Sequence, residues 1–309
     1  MSCRGHRPEV ASRAVAPVRR QPEAGNSVGQ QTDPELEAWI LDQVRAGHSP
    51  EAVVAPMLAR GWQEQAAIDA VEAVVRKHLE HHARGSDLPV PVAVPAPVAW
   101  NGASVLAAAD REVQVLAHLV HPQVVVFGGL LSGEECDALV ELSRGRLARS
   151  STVNLDTGAD EVHAARTSQG MFLRRGENAL VTRIEARIAA LLEWPVENGE
   201  AMQVLRYGVG AEYRPHHDYF DPDRPGAGAI LARGGQRVAS VVMYLNTPAR
   251  GGATTFPDAR FEAAAVKGNA VFFSYDRPHP MTGTLHGGAP VLEGEKWVAT
   301  KWLRERRYD

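Results

Sequence analysis

The chain has 309 residues, of which 44% are hydrophobic and 23% charged, with 33 Lys and Arg against 37 Asp and Glu for a formal net charge of −4. That composition is globular and excludes a wholly disordered or fibrous protein, and the near-neutral balance carries no broad electrostatic footprint for nucleic acid. Two cysteines, Cys3 and Cys136, exclude a disulfide framework or a cysteine-rich zinc module, and no apolar run approaches the roughly 18 residues of a membrane helix.

Residues 1–33 are rich in Pro, Gly, Gln and Arg, lack a hydrophobic period and read as a disordered tail. Their arginines are not followed by the apolar run of a secretory signal, so cytoplasmic residence is expected, with no membrane partner. Asp33-Pro34-Glu35 is an N-cap and first-turn signature, and Leu36, Trp39, Ile40 and Val44 follow at helical spacing. A second helix restarts at Pro50 with Val53, Val54, Met57 and Leu58, and ends at Gly61-Trp62. A third runs from Ala66 to Leu79. Residues 34–84 are therefore expected to form a small helical module, of the kind that binds a partner or packs on a larger domain. His78, His81 and His82 have metal-ligand spacing on a helix, but they read better as a solvated helix end. The run Leu88-Pro-Val-Pro-Val-Ala-Val-Pro-Ala-Pro97 favours polyproline II and predicts a stiff linker over residues 85–104.

Residues 105–309 form the main domain in this reading. Ser132 caps a helix to Leu147 with Glu135 three residues on, and Cys136 falls on its apolar face. A second helix spans Glu177 to Leu192. Strand-like runs separated by Gly and Pro follow at Ala201–Tyr207, Glu212–His217, Val238–Leu245, Ala253–Phe256, Ala270–Ser274 and Lys296–Leu303. Two helices ahead of a β-rich half predict an α+β domain built on a sandwich, barrel or jelly roll.

Within the strand at Tyr213-Arg-Pro-His216-His217-Asp218, side chains two apart share a face. His216 and Asp218 therefore point one way and His217 the other. One imidazole and one carboxylate make two-thirds of a facial triad that binds Fe(II) and leaves positions open. The third ligand should be a distant histidine, with His279 and His286 as candidates. Lys296, ten residues beyond His286 and flanked by Trp297 and Val298, should be partly buried and so requires an anionic partner. A turn at Glu293-Gly294 would put it on the strand next to that of His286.

The ordered motifs are more specific than any of these pairs. Tyr207-Gly-Val-Gly-Ala-Glu-Tyr-Arg-Pro-His-His-Asp-Tyr-Phe220, Gly-Gly-Gln-Arg237, Met243-Tyr-Leu, Gly-Gly-Ala-Thr254-Thr-Phe-Pro257 and Leu285-His-Gly-Gly-Ala-Pro-Val-Leu-Glu-Gly-Glu-Lys-Trp297, with Arg166-Thr-Ser168 upstream, closely resemble the prolyl 4-hydroxylase branch of the Fe(II)/2-oxoglutarate dioxygenases. The resemblance runs from about Gln123 to Glu305. It implies a double-stranded β-helix (jelly-roll, cupin-like) core with flanking helices. It places His216, Asp218 and His286 at the iron ligands, and Lys296 at the distal carboxylate of 2-oxoglutarate, assisted by Tyr207 and Thr254. It places Tyr213 and Arg237 where a peptide approaches, and a mobile flap over about Thr152–Arg166. The implied cofactors and cosubstrates are Fe(II), 2-oxoglutarate, O2 and L-ascorbate. The implied reaction hydroxylates a peptidyl proline and releases succinate and CO2. The same chemistry on a free amino acid, another residue type or a small metabolite is the alternative, and a non-catalytic metal-binding β-fold with an adaptor helical module is a third reading. The cysteine pairs of the secreted animal enzymes are missing, which favours a cytosolic protein target over collagen.

Overall fold

The computed structural model describes residues 34–46, 48–85, 88–97, 102–149, 152–153, 160–161 and 168–309. The expected tail over 1–33 and most of the expected flap lie outside the described residues. The chain divides into two compact units, residues 1–90 and 91–309.

The first unit contains α1 (Pro34–Arg45), α2 (Pro50–Leu58) and α3 (Glu64–Gly85). Ser49 caps α2, accepting from the Ala52 amide, and Pro50 opens the helix where its missing N–H is no loss. Trp39 and Ile40, Val53 and Met57, and Ala67, Val71 and Val74 are the apolar faces of the three helices and form one shared core. α3 runs past the expected end at Leu79 to Gly85, because extending a helix already nucleated costs little. No helix among the described residues is long and apolar enough to cross a membrane.

The second unit begins with the proline run, which is not a free spacer along its whole length. The Val92 amide donates to the Asp276 carbonyl at 2.8 Å, and Pro95 and Pro97 are buried. Then come β1 (Val105–Ala108), β2 (Arg111–Leu119) and β3 (Val124–Gly128), α4 (Gly133–Arg144), β4 (Ala148–Arg149), β5 (Thr152–Val153), β6 (Asp160–Glu161), β7 (Gln169–Leu173) and α5 (Ala179–Leu192). The β-rich half carries β8 (Met202–Tyr207), β9 (Tyr213–His216), α6 (Ala227–Ala232), β10 (Arg237–Tyr244), β11 (Arg250–Gly251), β12 (Thr254–Phe256), β13 (Phe261–Ala263), β14 (Ala270–Ser274), β15 (His286–Gly288), β16 (Val291–Glu293) and β17 (Lys296–Arg304).

Nine strands make an antiparallel sheet in the order β1-β2-β3-β14-β10-β17-β8-β7-β4, and four make a second in the order β13-β12-β15-β9. This is the jelly-roll arrangement. The strands β1–β3 and β7 belong to the large sheet although they precede or separate the helices, so the main domain is not helices followed by strands. β3 is buried along nearly its whole length, and a short apolar run of that kind has no period to betray it.

The large sheet is covered on both faces, and the alternation of its central strands sorts residues between them. Trp297, Ala299 and Leu303 of β17 join Val204 of β8, Val241 and Met243 of β10 and the apolar faces of α4 and α5 in one core. Val298, Leu205, Tyr207 and Tyr244 face the other way, into a core shared with Phe256 and Ala263 of the small sheet. The interior between the two sheets is thus lined by every second residue of β8, β10 and β17.

One ionic cluster ties the helical layer to the sheet edge. Ser132 and Glu135 form the expected capping box on α4. Glu135 also receives two bonds from Arg187 of α5, at 2.8 and 2.9 Å, and Arg187 makes a bidentate pair with Asp110 in the β1–β2 turn. Arg187 is 2% exposed and its charge is fully committed. Removing one partner of such a cluster strands the others, so Arg187→Ala is expected to lower urea-unfolding stability by about 3–5 kcal/mol. A loss under 1 kcal/mol would show that the cluster is not what docks α5.

Candidate metal centre

β9 and β15 are antiparallel neighbours in the small sheet, and His216 and His286 are directly opposed in their register. Opposed side chains in such a pair share a face with Cβ atoms about 4.5–5.5 Å apart. Asp218, just past the end of β9 and two residues from His216, joins them. One ligand atom from each of the three lies within 4.8 Å of the others. His216 Nε2 is 3.5 Å from Asp218 Oδ1, and His286 Nε2 is 3.5 Å from Asp218 Oδ2.

Both rings are oriented from behind. His216 Nδ1 is 2.9 Å from the Arg214 carbonyl, and His286 Nδ1 is 3.0 Å from that of Thr284. A carbonyl only accepts, so Nδ1 carries the proton on each ring and the Nε2 lone pairs face the shared space. Burial pushes His286 down to about 4 against the pull of Asp218. Burial alone would raise the Asp218 carboxyl, but His286, His216 and Arg237 hold it well below the ordinary carboxylate range. At neutral pH the site therefore offers a neutral imidazole and a carboxylate, the protonation states that metal coordination requires. Two nitrogens and one oxygen facing a shared space, each group also hydrogen-bonded from behind, fit a ferrous ion.

The cleft in front of this group has a cavity volume of about 50 Å³ and reaches across to β17. Lys296 lies in its lining, 4% exposed, and no hydrogen-bond or ion-pair partner for its ammonium is found among the described residues. The Tyr207 and Tyr244 ring centroids lie 5.6 and 5.8 Å from it. Desolvation pushes its pKa down to about 8. Tyr207 is its directly opposed residue on β8. Thr254 lines the same cleft, and its Oγ1 accepts from the Tyr244 hydroxyl at 2.8 Å, which leaves its own proton to donate elsewhere. Lys296 does not sit on the strand next to His286. β15 pairs with β12 and β9, whereas β17 lies between β8 and β10 in the large sheet, because the intervening β16 pairs with β11. The lysine therefore faces the histidines across the interior.

Tyr213 stacks on the His216 ring with centroids 3.8 Å apart. Arg237 sits apart from the cleft lining. It makes a bidentate pair with Glu200 at 2.7 and 2.8 Å and lies between the Phe220 and Trp302 rings, so a peptide contact would have to compete with Glu200. His217 turns away and stacks on Tyr219, while His279 Nδ1 accepts from the Met281 amide in a short turn. Ser240, Tyr244 and Trp302 also belong to the site and were not singled out from the sequence. Their signal is parity: Trp302 is six residues from Lys296 on one strand, hence on the same face, and Ser240 and Tyr244 share the interior face of β10.

Among the curated proteins, this chain is 38% identical over 208 residues to probable prolyl 4-hydroxylase 7 of Arabidopsis thaliana, covering 61% of this chain and 64% of that protein. It is 38% identical over 220 residues to prolyl 4-hydroxylase 5 of the same plant, covering 64% of this chain and 73% of that protein. The chain thus spans a little under two thirds of the first relative's length. Residues 202–304 match the family model described as the 2OG-Fe(II) oxygenase superfamily. Among solved structures, the viral collagen prolyl hydroxylase of Paramecium Bursaria Chlorella virus-1 is similar at 29% identity and a TM-score of 0.46, over 59% of this chain and 95% of that one.

The close approach of β15 to β9 generates a test. A Cβ on Gly287 would lie 2.9 Å from the Tyr213 carbonyl oxygen, whereas one on Gly288 would meet nothing nearer than 3.7 Å. Overpacking costs about 1–3 kcal/mol. Gly287→Ala is expected to lower the Tm and weaken metal retention, measured by thermal unfolding and by Co(II) titration, while Gly288→Ala leaves the Tm near that of the unaltered chain. Equal tolerance of the two would contradict the described register.

Proposed function

The chain belongs to the 2OG-Fe(II) oxygenase superfamily, in its prolyl 4-hydroxylase family, and from that premise we propose that it hydroxylates prolyl residues of a peptide or protein. The reaction consumes 2-oxoglutarate and O2 and yields succinate, CO2 and the hydroxylated residue. The single observation that carries this is the convergence of His216, Asp218 and His286 across one cleft from a buried ammonium with no counter-charge among the described residues. A metal triad alone would suit many chemistries. A cation held opposite it calls for a ligand anionic at its far end.

In this proposal His216 and His286 present Nε2, and Asp218 a carboxylate oxygen, to Fe(II). Bound there with 2-oxoglutarate, the iron supplies the oxidising chemistry that couples decarboxylation to insertion of one oxygen atom into a C–H bond. Lys296 pairs with the distal carboxylate, and the Tyr207 and Thr254 hydroxyls donate to it. Leu205, Val242 and Val298 wall the cleft with apolar surface and exclude water around that pair, which strengthens it. Tyr213, stacked at the mouth of the site, is the proposed substrate-side contact, with Arg237 supporting that side through Trp302. L-Ascorbate is the proposed reductant that restores iron oxidised in unproductive turnovers. A cytoplasmic setting, which the cysteine-poor composition supports, is proposed for the reaction.

Three measurements test this. Anaerobic addition of Fe(II) and 2-oxoglutarate is expected to give a visible charge-transfer band that His216→Ala abolishes; persistence of the band in that variant would remove the triad. Succinate release and a gain of one oxygen on proline, read by mass spectrometry, are expected with proline-rich peptides, and turnover on none would overturn the substrate class. Charge-assisted bonds contribute about 1.5–3 kcal/mol, so Lys296→Ala should weaken 2-oxoglutarate about 10- to 100-fold.

The pH dependence follows from the same lysine. Its ammonium is already charged below pH 8, where 2-oxoglutarate binding is at full strength. Above pH 8 binding must be accompanied by uptake of a proton at the Lys296 amine, and affinity should fall about tenfold per pH unit. A flat profile between pH 8 and 9.5 would contradict the pairing.

The helical module of residues 34–84 is proposed to recruit the protein target. Because Pro95 and Pro97 are packed into the second unit, the informative truncation removes residues 1–87 and leaves the proline run in place. It is expected to slow turnover of a protein target while sparing a short peptide, and equal rates on both would reject recruitment.

A further inference from the structure

Asp218 is held by more than the two histidines. Its Oδ2 accepts from Ser240 Oγ at 2.6 Å, and Ser240 Oγ is in turn 3.0 Å from the Tyr275 hydroxyl. Both residues are buried, at 0% and 2% exposure. The direction of the chain is fixed by what each group can do. An ionised carboxylate only accepts, so Ser240 must donate to it, and a serine has one proton. The Tyr275 hydroxyl must then donate to Ser240. Oδ1 lies 3.5 Å from His216 Nε2 and Oδ2 3.5 Å from His286 Nε2, so among the described residues the serine bond to Oδ2 is what distinguishes the two oxygens.

We infer that Tyr275 and Ser240 are positioning residues that keep Asp218 a one-oxygen ligand, with Oδ1 toward the metal and Oδ2 tied back. The inference rests on the metal reading proposed above. Its consequence is a count of positions. A ferrous ion held by two imidazoles and one carboxylate oxygen would keep positions open for the 2-oxoacid and for O2. A carboxylate free to rotate and chelate through both oxygens would remove one of them. The relay is built into the rigid part of the fold: Ser240 sits mid-strand in β10, and Tyr275 follows β14, its neighbour in the large sheet. Both act on Asp218 from behind, without lining the cleft, so their effect reaches the ligand only through the carboxylate.

Two affinities separate this role from general support of the site. Ser240→Ala frees Oδ2, and Tyr275→Phe removes only the outer link. Outer partners of metal ligands typically govern about 10–100-fold in affinity or activity. Fe(II) or Co(II) affinity is measured calorimetrically, and 2-oxoglutarate affinity of the Fe(II)-loaded chain by the anaerobic charge-transfer titration. In Ser240→Ala the metal is expected to bind as tightly as in the unaltered chain or tighter, while 2-oxoglutarate weakens about tenfold or more. Tyr275→Phe should show a smaller loss of the same kind, and Ser240→Thr, which keeps the hydroxyl, should restore the unaltered values. A near-ultraviolet circular dichroism spectrum matching the unaltered chain establishes that the variants are folded. Unchanged 2-oxoglutarate affinity in Ser240→Ala, or metal and 2-oxoglutarate affinities falling together, would overturn the inference. Failure of the unaltered chain to bind metal at these residues would instead remove the underlying reading of the site, and the inference with it.

Discussion

The structure depends on one strand pairing. Tyr213–His216 and His286–Gly288 are antiparallel neighbours in a register that sets His216 opposite His286. Nothing local in either segment enforces this, since seventy residues separate the two histidines. Gly287 permits it, because its absent side chain lets β15 lie close on the Tyr213 carbonyl. A slip of one residue would turn one imidazole out of the interior, since side chains alternate faces along a strand. The rest of the second unit makes that slip unfavourable. Phe256, Phe273 and Tyr213 pack on the two rings, and the Arg214 and Thr284 carbonyls fix their tilt.

The large sheet supplies the opposite wall by a different rule. β17 is buried on both faces, so each residue in it is assigned to one of two interiors. Trp297 and Ala299 go to the helices; Lys296, Val298, Thr300 and Trp302 go to the cleft. Burying an ammonium there with no counter-charge among the described residues is unfavourable, and its lowered pKa expresses that penalty. In the function proposed above the same feature gives selectivity, since such a cavity would favour a ligand with negative charge at one end and metal-binding oxygens at the other. Site and fold are thus one construction: the small sheet brings the two histidines beside Asp218, and the large sheet brings the lysine to the same cleft.

Much of this was legible in the sequence because it rests on periods. His216 and Asp218 share a face through the spacing of two, the capping box at Ser132 and Glu135 is a local pattern, and β14 over Ala270–Ser274 is bounded by turn residues on both sides. Features set by long-range pairing were not legible residue by residue. Spacing leaves His279 and His286 equivalent, and only the register separates them. The ten-residue interval from His286 to Lys296 suggests neighbouring strands, yet the chain crosses between sheets within it. Ser240 reads as an unremarked polar position in an apolar strand, and its meaning appears only when Asp218 and Tyr275 meet it. Likewise β1–β3 precede the helices in the chain but join the same sheet as β17, a placement that composition alone does not reveal.

The central claim is that three side chains and one lysine define a single ligand site. Crystals grown anaerobically with Mn(II) in place of Fe(II) and with 2-oxoglutarate address it most directly, through the anomalous signal of the metal. The account predicts one anomalous peak within bonding distance of His216 Nε2, His286 Nε2 and one oxygen of Asp218, chelated by the 2-oxoacid end of the cosubstrate, with the other carboxylate on Lys296 Nζ. A peak bound elsewhere, or a 2-oxoglutarate whose distal carboxylate lies away from Lys296, would contradict it.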